Sequence, residues 1–124
     1  MVKKILVIDD EELITKTLLK LLDGQGYKTT IAKSGVEALE KIKETDFGLI
    51  ISDVRMPNLD GIESIKQIRE YLRSFNKQLI PEILITGYAD KEKYEAAMDL
   101  KVRDYLYKPF DRIDLLRVIK KIIG

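Results

Sequence analysis

The sequence predicts a doubly wound α/β fold: a (βα)5 chain whose five parallel strands lie in the order 2-1-3-4-5. Three observations predict it. Strand-like and helix-like segments alternate five times along the 124 residues. Three of the strand-like segments are unbroken apolar runs, the pattern of strands covered by helices on both faces. The other two alternate or carry threonines, as less buried strands do. With the apolar strands in the middle, right-handed crossovers favour this order.

The elements follow in sequence. Ile5-Leu6-Val7-Ile8 is the first strand and ends at Asp9-Asp10. Leu13, Ile14, Leu18, Leu21 and Leu22 then recur at helical spacing and stop near Gly24 and Gly26. Tyr27 to Ala32 alternates and reads as an edge strand. Ser34-Gly35-Val36-Glu37 has the form of a capping box and opens the second helix. Leu49-Ile50-Ile51 is a buried strand ending at Ser52-Asp53, and Pro57 to Gly61 reads as a loop. Ile62, Ile65, Ile68 and Leu72 mark the third helix. Ile83-Leu84-Ile85 is the third buried strand and ends at Thr86-Gly87. Asp90 is placed to cap a fourth helix that is apolar only at Tyr94, Ala97, Met98 and Leu100. Arg103 to Tyr107 alternates as the second edge strand, and Asp111 caps a fifth helix that runs to the end. No repeat, linker or low-complexity tract divides the chain, so residues 1–124 read as one domain.

Composition narrows the chemistry. Cysteine is absent, which excludes disulfides, thiol catalysis and zinc–thiolate sites. Histidine is absent too, removing the commonest general base and transition-metal ligand. Oxygen ligands alone point to a hard cation such as Mg²⁺ or Ca²⁺. Charged residues make up 35% of the chain, yet the net charge is +1. A dedicated nucleic-acid binder needs a concentrated basic surface, so no direct nucleic-acid contact is expected, and nothing invokes an anionic membrane. No apolar run approaches the roughly 20 residues that span a bilayer. The short run after Met1-Val2-Lys3-Lys4 ends in acids rather than a cleavage site, so a cytoplasmic protein is expected.

In an open parallel sheet, ligands bind beyond the carboxyl ends of the strands where the strand order reverses, here between strands 1 and 3. Asp9 and Asp10 follow strand 1, Asp53 ends strand 3, Thr86 ends strand 4 and Lys108 follows strand 5. Each has an ordinary alternative. Asp9 or Asp10 could cap the first helix, Asp53 could be a turn acid, Thr86 could satisfy a loop, and Lys108 could be a solvated surface lysine. Together they supply what a phosphoryl site needs. Three crowded carboxylates require a counter-charge, which Mg²⁺ provides. Asp53 would be the nucleophile, with Mg²⁺, Lys108 and the Thr86 hydroxyl neutralising the phosphoryl oxygens.

These segments carry a resemblance. Asp9-Asp10 after an apolar strand, Ser52-Asp53-Val54-Arg55-Met56-Pro57-Asn58-Leu59-Asp60-Gly61, Ile85-Thr86-Gly87 and Asp104-Tyr105-Leu106-Tyr107-Lys108-Pro109-Phe110 closely resemble response-regulator receiver domains of two-component systems. The resemblance covers essentially the whole chain and implies a flavodoxin-like fold. It implies that Asp53 is the phosphorylated aspartate. Asp10 would be a direct Mg²⁺ ligand, Asp9 would act mainly through water, and the Arg55 backbone carbonyl would be a third protein ligand. It implies that Lys108 precedes a cis peptide bond, and that Thr86 and Tyr105 are the pair that moves on phosphorylation. The expected donor is a phosphohistidine on a sensor histidine kinase or phosphotransfer protein. Such a domain promotes its own phosphorylation and dephosphorylation but turns over no external substrate.

On this reading Thr86 is drawn toward the phosphoryl group and Tyr105 turns inward from a solvent-facing position, changing the surface of the fourth helix, fifth strand and fifth helix. In the fifth helix, Leu115, Leu116, Val118, Ile119, Ile122 and Ile123 share an arc about 160° wide. It is either a well-buried terminal helix or one whose flank joins a homodimer or partner interface. Arg55 and Tyr88, two residues after Asp53 and Thr86, flank the expected path of hydrolytic water. An interaction module independent of phosphorylation would typically have lost an acid or the lysine. A haloacid-dehalogenase-type phosphatase wants Asp-x-Asp-x-Thr where this chain has Asp9-Asp10-Glu11-Glu12. A flavodoxin-type FMN binder needs a phosphate-cradling loop there, where acids repel phosphate. The output is either direct protein contact or a further segment of a longer regulator. Thr86-Gly87-Tyr88-Ala89 resembles segments that precede transcription-activating ATPase modules.

Overall fold

The structure is a computed structural model and describes residues 2–124. Ten elements alternate: β1 (Lys4–Ile8), α1 (Glu12–Asp23), β2 (Lys28–Ala32), α2 (Gly35–Glu44), β3 (Leu49–Asp53), α3 (Gly61–Ser74), β4 (Glu82–Thr86), α4 (Lys91–Asp99), β5 (Asp104–Tyr107) and α5 (Arg112–Ile123). The strands are all parallel, in the order β2-β1-β3-β4-β5. This is the doubly wound, flavodoxin-like arrangement that the sequence predicts, and the burial ranking holds. β3 and β4 are buried throughout and β1 almost so, whereas β2 and β5 are partly open.

Side chains alternate across each strand, so an unbroken apolar strand feeds two cores. Ile5, Val7, Leu49, Ile51, Ile83 and Ile85 pack under α1 and α5 against Leu18, Leu22, Leu115 and Ile119. Leu6, Ile8 and Ile50 face the other way, onto Ala38, Ile42, Ile68 and Leu72 of α2 and α3. Beside them Leu84 and Val54 meet Ile62, Ile65, Ala97 and Tyr105. On α5, Leu116, Val118, Ile122 and Ile123 are partly buried against the first core, so the wide arc lies on the sheet. Ala97 is the one buried residue of α4, which is therefore lightly anchored, as its sparse apolar pattern predicts.

Caps set the helix starts. Ser34 accepts from the Glu37 N–H at 3.1 Å, while the Glu37 carboxylate takes the Lys33 N–H, one residue ahead of the cap. Asp90 accepts from the Lys93 N–H and Asp111 from those of Ile113 and Asp114. Neither Asp9 nor Asp10 caps α1; its cap position is Glu11, without a side-chain bond. The segment read as a loop up to Gly61 contains the α3 cap, because Asp60 accepts from the Glu63 N–H at 2.9 Å.

Two contacts tie helices to the sheet. Gly61 donates its N–H to the Val54 carbonyl at 2.8 Å. A Cβ at Gly61 would stand 2.2 Å from the Asp53 carbonyl oxygen and 3.0 Å from the Val54 Cα. The chain needs glycine there for space, since the start of α3 leans on the backbone of Asp53 itself. Gly61→Ala is expected to destabilise the fold by roughly 2–3 kcal/mol and to distort the Asp53 turn, which urea unfolding measures. The second contact is buried. Glu82 is 2% exposed at the start of β4 and takes the Arg69 guanidinium two-pronged, at 2.9 and 2.7 Å. Arg69 also donates to the Leu100 carbonyl at 2.6 Å, which fixes the end of α4.

Candidate functional site

The strand order reverses between β1 and β3, and the polar residues gather at that point. Among the described residues, one carboxylate oxygen each from Asp9, Asp10 and Asp53 lies within 4.8 Å of the others. Asp9 and Asp53 are 3% and 5% exposed, whereas Asp10 is open to solvent. Asp9 is oriented by the Glu11 N–H, which donates to its Oδ1 at 2.9 Å. The Lys108 ammonium reaches in from the end of β5, 3.4 Å from Asp9 Oδ2, 3.4 Å from Asp53 Oδ2 and 3.0 Å from Glu11 Oε1. The Lys108–Pro109 peptide bond is cis.

Electrostatics follows from this crowding. Burial, then the charge of Asp9, pushes the Asp53 carboxyl up from 3.8 to about 6, with Lys108 and the Arg55 N–H pulling the other way. Burial also raises Asp9, against the Glu11 N–H and Lys108. For Lys108, burial disfavours the charge, but the Glu11 hydrogen bond and the charges of Asp9 and Asp53 outweigh it and lift its pKa. Two buried acids held up in pKa with one ammonium between them form a site short of positive charge. Three carboxylates without imidazole or thiolate suit a hard divalent cation, so the donor set fits Mg²⁺.

A cavity of about 600 Å³ opens above these groups, lined by Asp10, Asp53, Arg55, Gly87, Tyr88 and Lys108 among others. Arg55 stacks over the Tyr88 ring, its Cζ 4.4 Å from the centroid, and pairs with Asp90 at 3.2 Å. Lys93 pairs with Asp60. Two ion pairs therefore join the start of α4 to the β3–α3 connection that carries the Asp53 turn. Burial works against the Asp60 carboxylate, but its helix-capping N–H bond and Lys93 outweigh that and lower its pKa.

Thr86 is 1% exposed, and its hydroxyl is turned to Tyr88, accepting from the Tyr88 N–H at 3.2 Å. Tyr105 departs from the solvent-facing expectation: it is 8% exposed and already packed inward. Its ring meets Tyr94 edge-on at 5.2 Å and Tyr107 at 5.5 Å. It packs in one buried cluster with Ala97 of α4, Leu84 of β4 and Val102. Its hydroxyl is buried with no hydrogen-bond partner among the described residues. Burial accordingly raises the Tyr105 pKa.

The structure thus brings Asp9, Asp10, Asp53 and Lys108 together, with Thr86 at the next strand end and Arg55 on the wall. Sequence reasoning gave no role to Glu11, the nearest partner of Lys108, although the acidic run Asp9-Asp10-Glu11-Glu12 holds it two residues from Asp9. It also missed the pairs of Asp90 with Arg55 and Asp60 with Lys93, since their separations of 35 and 33 residues leave no local pattern.

Comparison with known proteins shows the family. The family model "Response regulator receiver domain" matches residues 5–120. The transcriptional regulatory protein ZraR of Klebsiella oxytoca is 39% identical over 113 residues, covering 90% of this chain and 24% of that protein. The chain thus spans about a quarter of the length of the ZraR regulators it matches. Chemotaxis protein CheY4 of Vibrio cholerae superposes with a TM-score of 0.88 at 30% identity, covering 98% of this chain and 99% of that one. The signal receiver domain of an HD domain-containing protein from Pseudomonas fluorescens Pf-5 superposes at 0.90 with 27% identity, covering 99% and 95%. No helix among the described residues is long and apolar enough to cross a membrane. An acidic crevice at the switch point, on a chain that one family matches almost end to end, leads to one conclusion: this chain is a response regulator receiver domain, a signalling switch rather than an enzyme that turns over a substrate.

Proposed function

We propose that the chain is the phosphoacceptor of a cytoplasmic two-component phosphorelay, taking a phosphoryl group from a phosphohistidine onto Asp53. The observation that carries this reading is the meeting of the Asp9, Asp10 and Asp53 carboxylates within 4.8 Å, with Lys108 Nζ 3.4 Å from Asp53. A carboxylate oxygen of Asp53 forms the new O–P bond as the N–P bond of the donor breaks. The electron pair of that bond leaves with the imidazole, which recovers a proton. With its pKa near 6, Asp53 is mostly ionised at neutral pH and able to attack.

Asp9, Asp10, Asp53 and the Arg55 carbonyl are the groups that would hold Mg²⁺, which when bound offsets the negative charge of the acids and the phosphoryl oxygens. Lys108 would leave Glu11 and set its ammonium against a phosphoryl oxygen. Thr86 would exchange its bond to the Tyr88 N–H for another phosphoryl oxygen. That movement bears on Tyr105 and so on the face of α4, β5 and α5, where Tyr94, Met98 and Tyr107 are exposed. A sensor histidine kinase or phosphotransfer protein supplies the phosphoryl group. The altered face controls an output segment or partner, or pairs two copies of the chain. Its likeness to transcriptional regulators points to transcription as the process controlled, without direct nucleic-acid contact by this part.

The test is incubation with Mg²⁺ and acetyl phosphate, read by intact mass: one added phosphoryl group supports the reading, and none with any donor overturns it. Tyr88 bears on lifetime. Its ring and the stacked Arg55 wall the cavity beside Asp53, so Tyr88→Ala is expected to speed loss of the phosphoryl group several-fold by opening the path of water. An unchanged decay rate would show that Tyr88 only occupies surface.

A further inference from the structure

A second cavity, of about 610 Å³, lies at the other end of the sheet from Asp53, where β4 and β5 begin. Arg69 lines it and is only 11% exposed. A guanidinium has five N–H donors. Three of those on Arg69 are used, two on Glu82 and one on the Leu100 carbonyl. The remaining two have no partner among the described residues, on a side chain that is almost fully enclosed.

The other lining residues sharpen the charge. Arg73, Lys101 and Arg103 line the cavity and make no ion pair among the described residues. Two acids line it: Glu82, already committed to Arg69, and Asp99. The carboxyl ends of α3 and α4 also lie here and together contribute only about one negative charge. Positive charge is left over. Lys101 moreover has φ +58°, in the left-handed region. The other non-glycine residues with positive φ are Asn58 and Asn76, of a type that tolerates it. A lysine there costs the backbone roughly 1 kcal/mol, so its side chain rather than its backbone suits the position. Leu79 and Pro81 give the cavity an apolar wall.

We propose that this cavity binds an organic phosphate. Its phosphoryl oxygens lie on Arg73, Lys101 and Arg103, with the free N–H groups of Arg69 beneath, and its apolar part lies against Leu79 and Pro81. Guanidinium forks match phosphate oxygens, and the volume suits a small ligand. Because Arg69 also holds Leu100, such a ligand bears on the end of α4, one of the elements assigned to the output face.

The test is calorimetric titration of the full chain in EDTA at low salt, which keeps phosphates off the Mg²⁺ site, with ATP, pyrophosphate and adenosine as probes. ATP is expected to bind saturably, pyrophosphate about tenfold more weakly and adenosine not measurably, with affinity falling as salt rises. The double variant Arg73→Ser, Arg103→Ser should weaken ATP by at least about tenfold. Lys101→Gly should weaken ATP without lowering the melting temperature, since it relieves the positive φ. Both variants should still accept a phosphoryl group from acetyl phosphate, which shows that they fold and separates this site from Asp53. Absence of saturable ATP binding at millimolar ligand, or equal binding by the double variant, would overturn the site. Equal affinity for ATP and pyrophosphate would overturn its organic character.

Discussion

Replacing Asp53 with asparagine is expected to abolish phosphoryl uptake and, in the metal-free protein, to raise stability at neutral pH. The first effect is total because no neighbour can substitute. Asp9 is fixed by the Glu11 N–H and Asp10 is exposed, whereas Asp53 ends the central strand with the Lys108 ammonium 3.4 Å from its Oδ2. The second effect follows from its raised pKa, caused first by burial and then by Asp9. The folded state binds this proton more tightly than the unfolded chain does. Its contribution is therefore fully present below the unfolded value of 3.8 and is lost as pH rises through about 6. At pH 7 the metal-free fold bears the whole cost. A shift of about two units corresponds to at most about 3 kcal/mol, and an amide that keeps some hydrogen bonding should recover about 2 kcal/mol of it. For a domain of this size that is a rise of roughly 6–10 °C in melting temperature. Melts in EDTA between pH 4 and 7 check the sign: the wild type should weaken across the range, and Asp53→Asn should weaken less. Adding Mg²⁺ should stabilise the wild type more than the variant if, as proposed, the cation binds the folded carboxylates.

Cutting the Arg69–Glu82 pair is expected to cost more stability than the Asp53 substitution changes. Both side chains are nearly enclosed, at 11% and 3% exposed, and two hydrogen bonds join them. Arg69→Ala strands a buried carboxylate at the head of β4 and frees the Leu100 carbonyl, which loosens the end of α4. Removing one partner of a buried pair costs about 3–5 kcal/mol, a large share of the roughly 5–15 kcal/mol that holds a domain together. Replacing both with apolar residues of similar volume, as in Arg69→Met with Glu82→Leu, should recover most of the loss. Urea midpoints of the single and double variants measure this. If Arg69→Ala unfolds at the wild-type midpoint, the pair contributes nothing.

What the sequence could and could not show has physical causes. The central strands were legible because a strand feeding two cores carries a run of consecutive apolar residues, as Leu49 to Ile51 do. The site followed from topology, since parallel strands deliver Asp9, Asp53, Thr86 and Lys108 to one edge. Local caps at Ser34, Asp90 and Asp111 were legible from spacing alone. Asp60 was not, because the turn before α3 reads as loop until the chain is seen leaning on Gly61. Glu82 looked like a residue outside its strand; only the fold reveals Arg69 waiting beside it. The inward orientation of Tyr105 rests on its packing against Ala97, Tyr94 and Tyr107, which no spacing encodes. The same holds for Arg55, whose side chain stacks on Tyr88 and pairs with Asp90.

The central claim concerns the atom that receives phosphorus. Borohydride reduces an aspartyl phosphate to homoserine, which peptide mass spectrometry locates. After incubation with Mg²⁺ and acetyl phosphate, the chain should carry homoserine at position 53 and nowhere else. Homoserine at position 9 or 10, or a phosphoryl adduct that resists reduction, would contradict the assignment of Asp53 as the nucleophile.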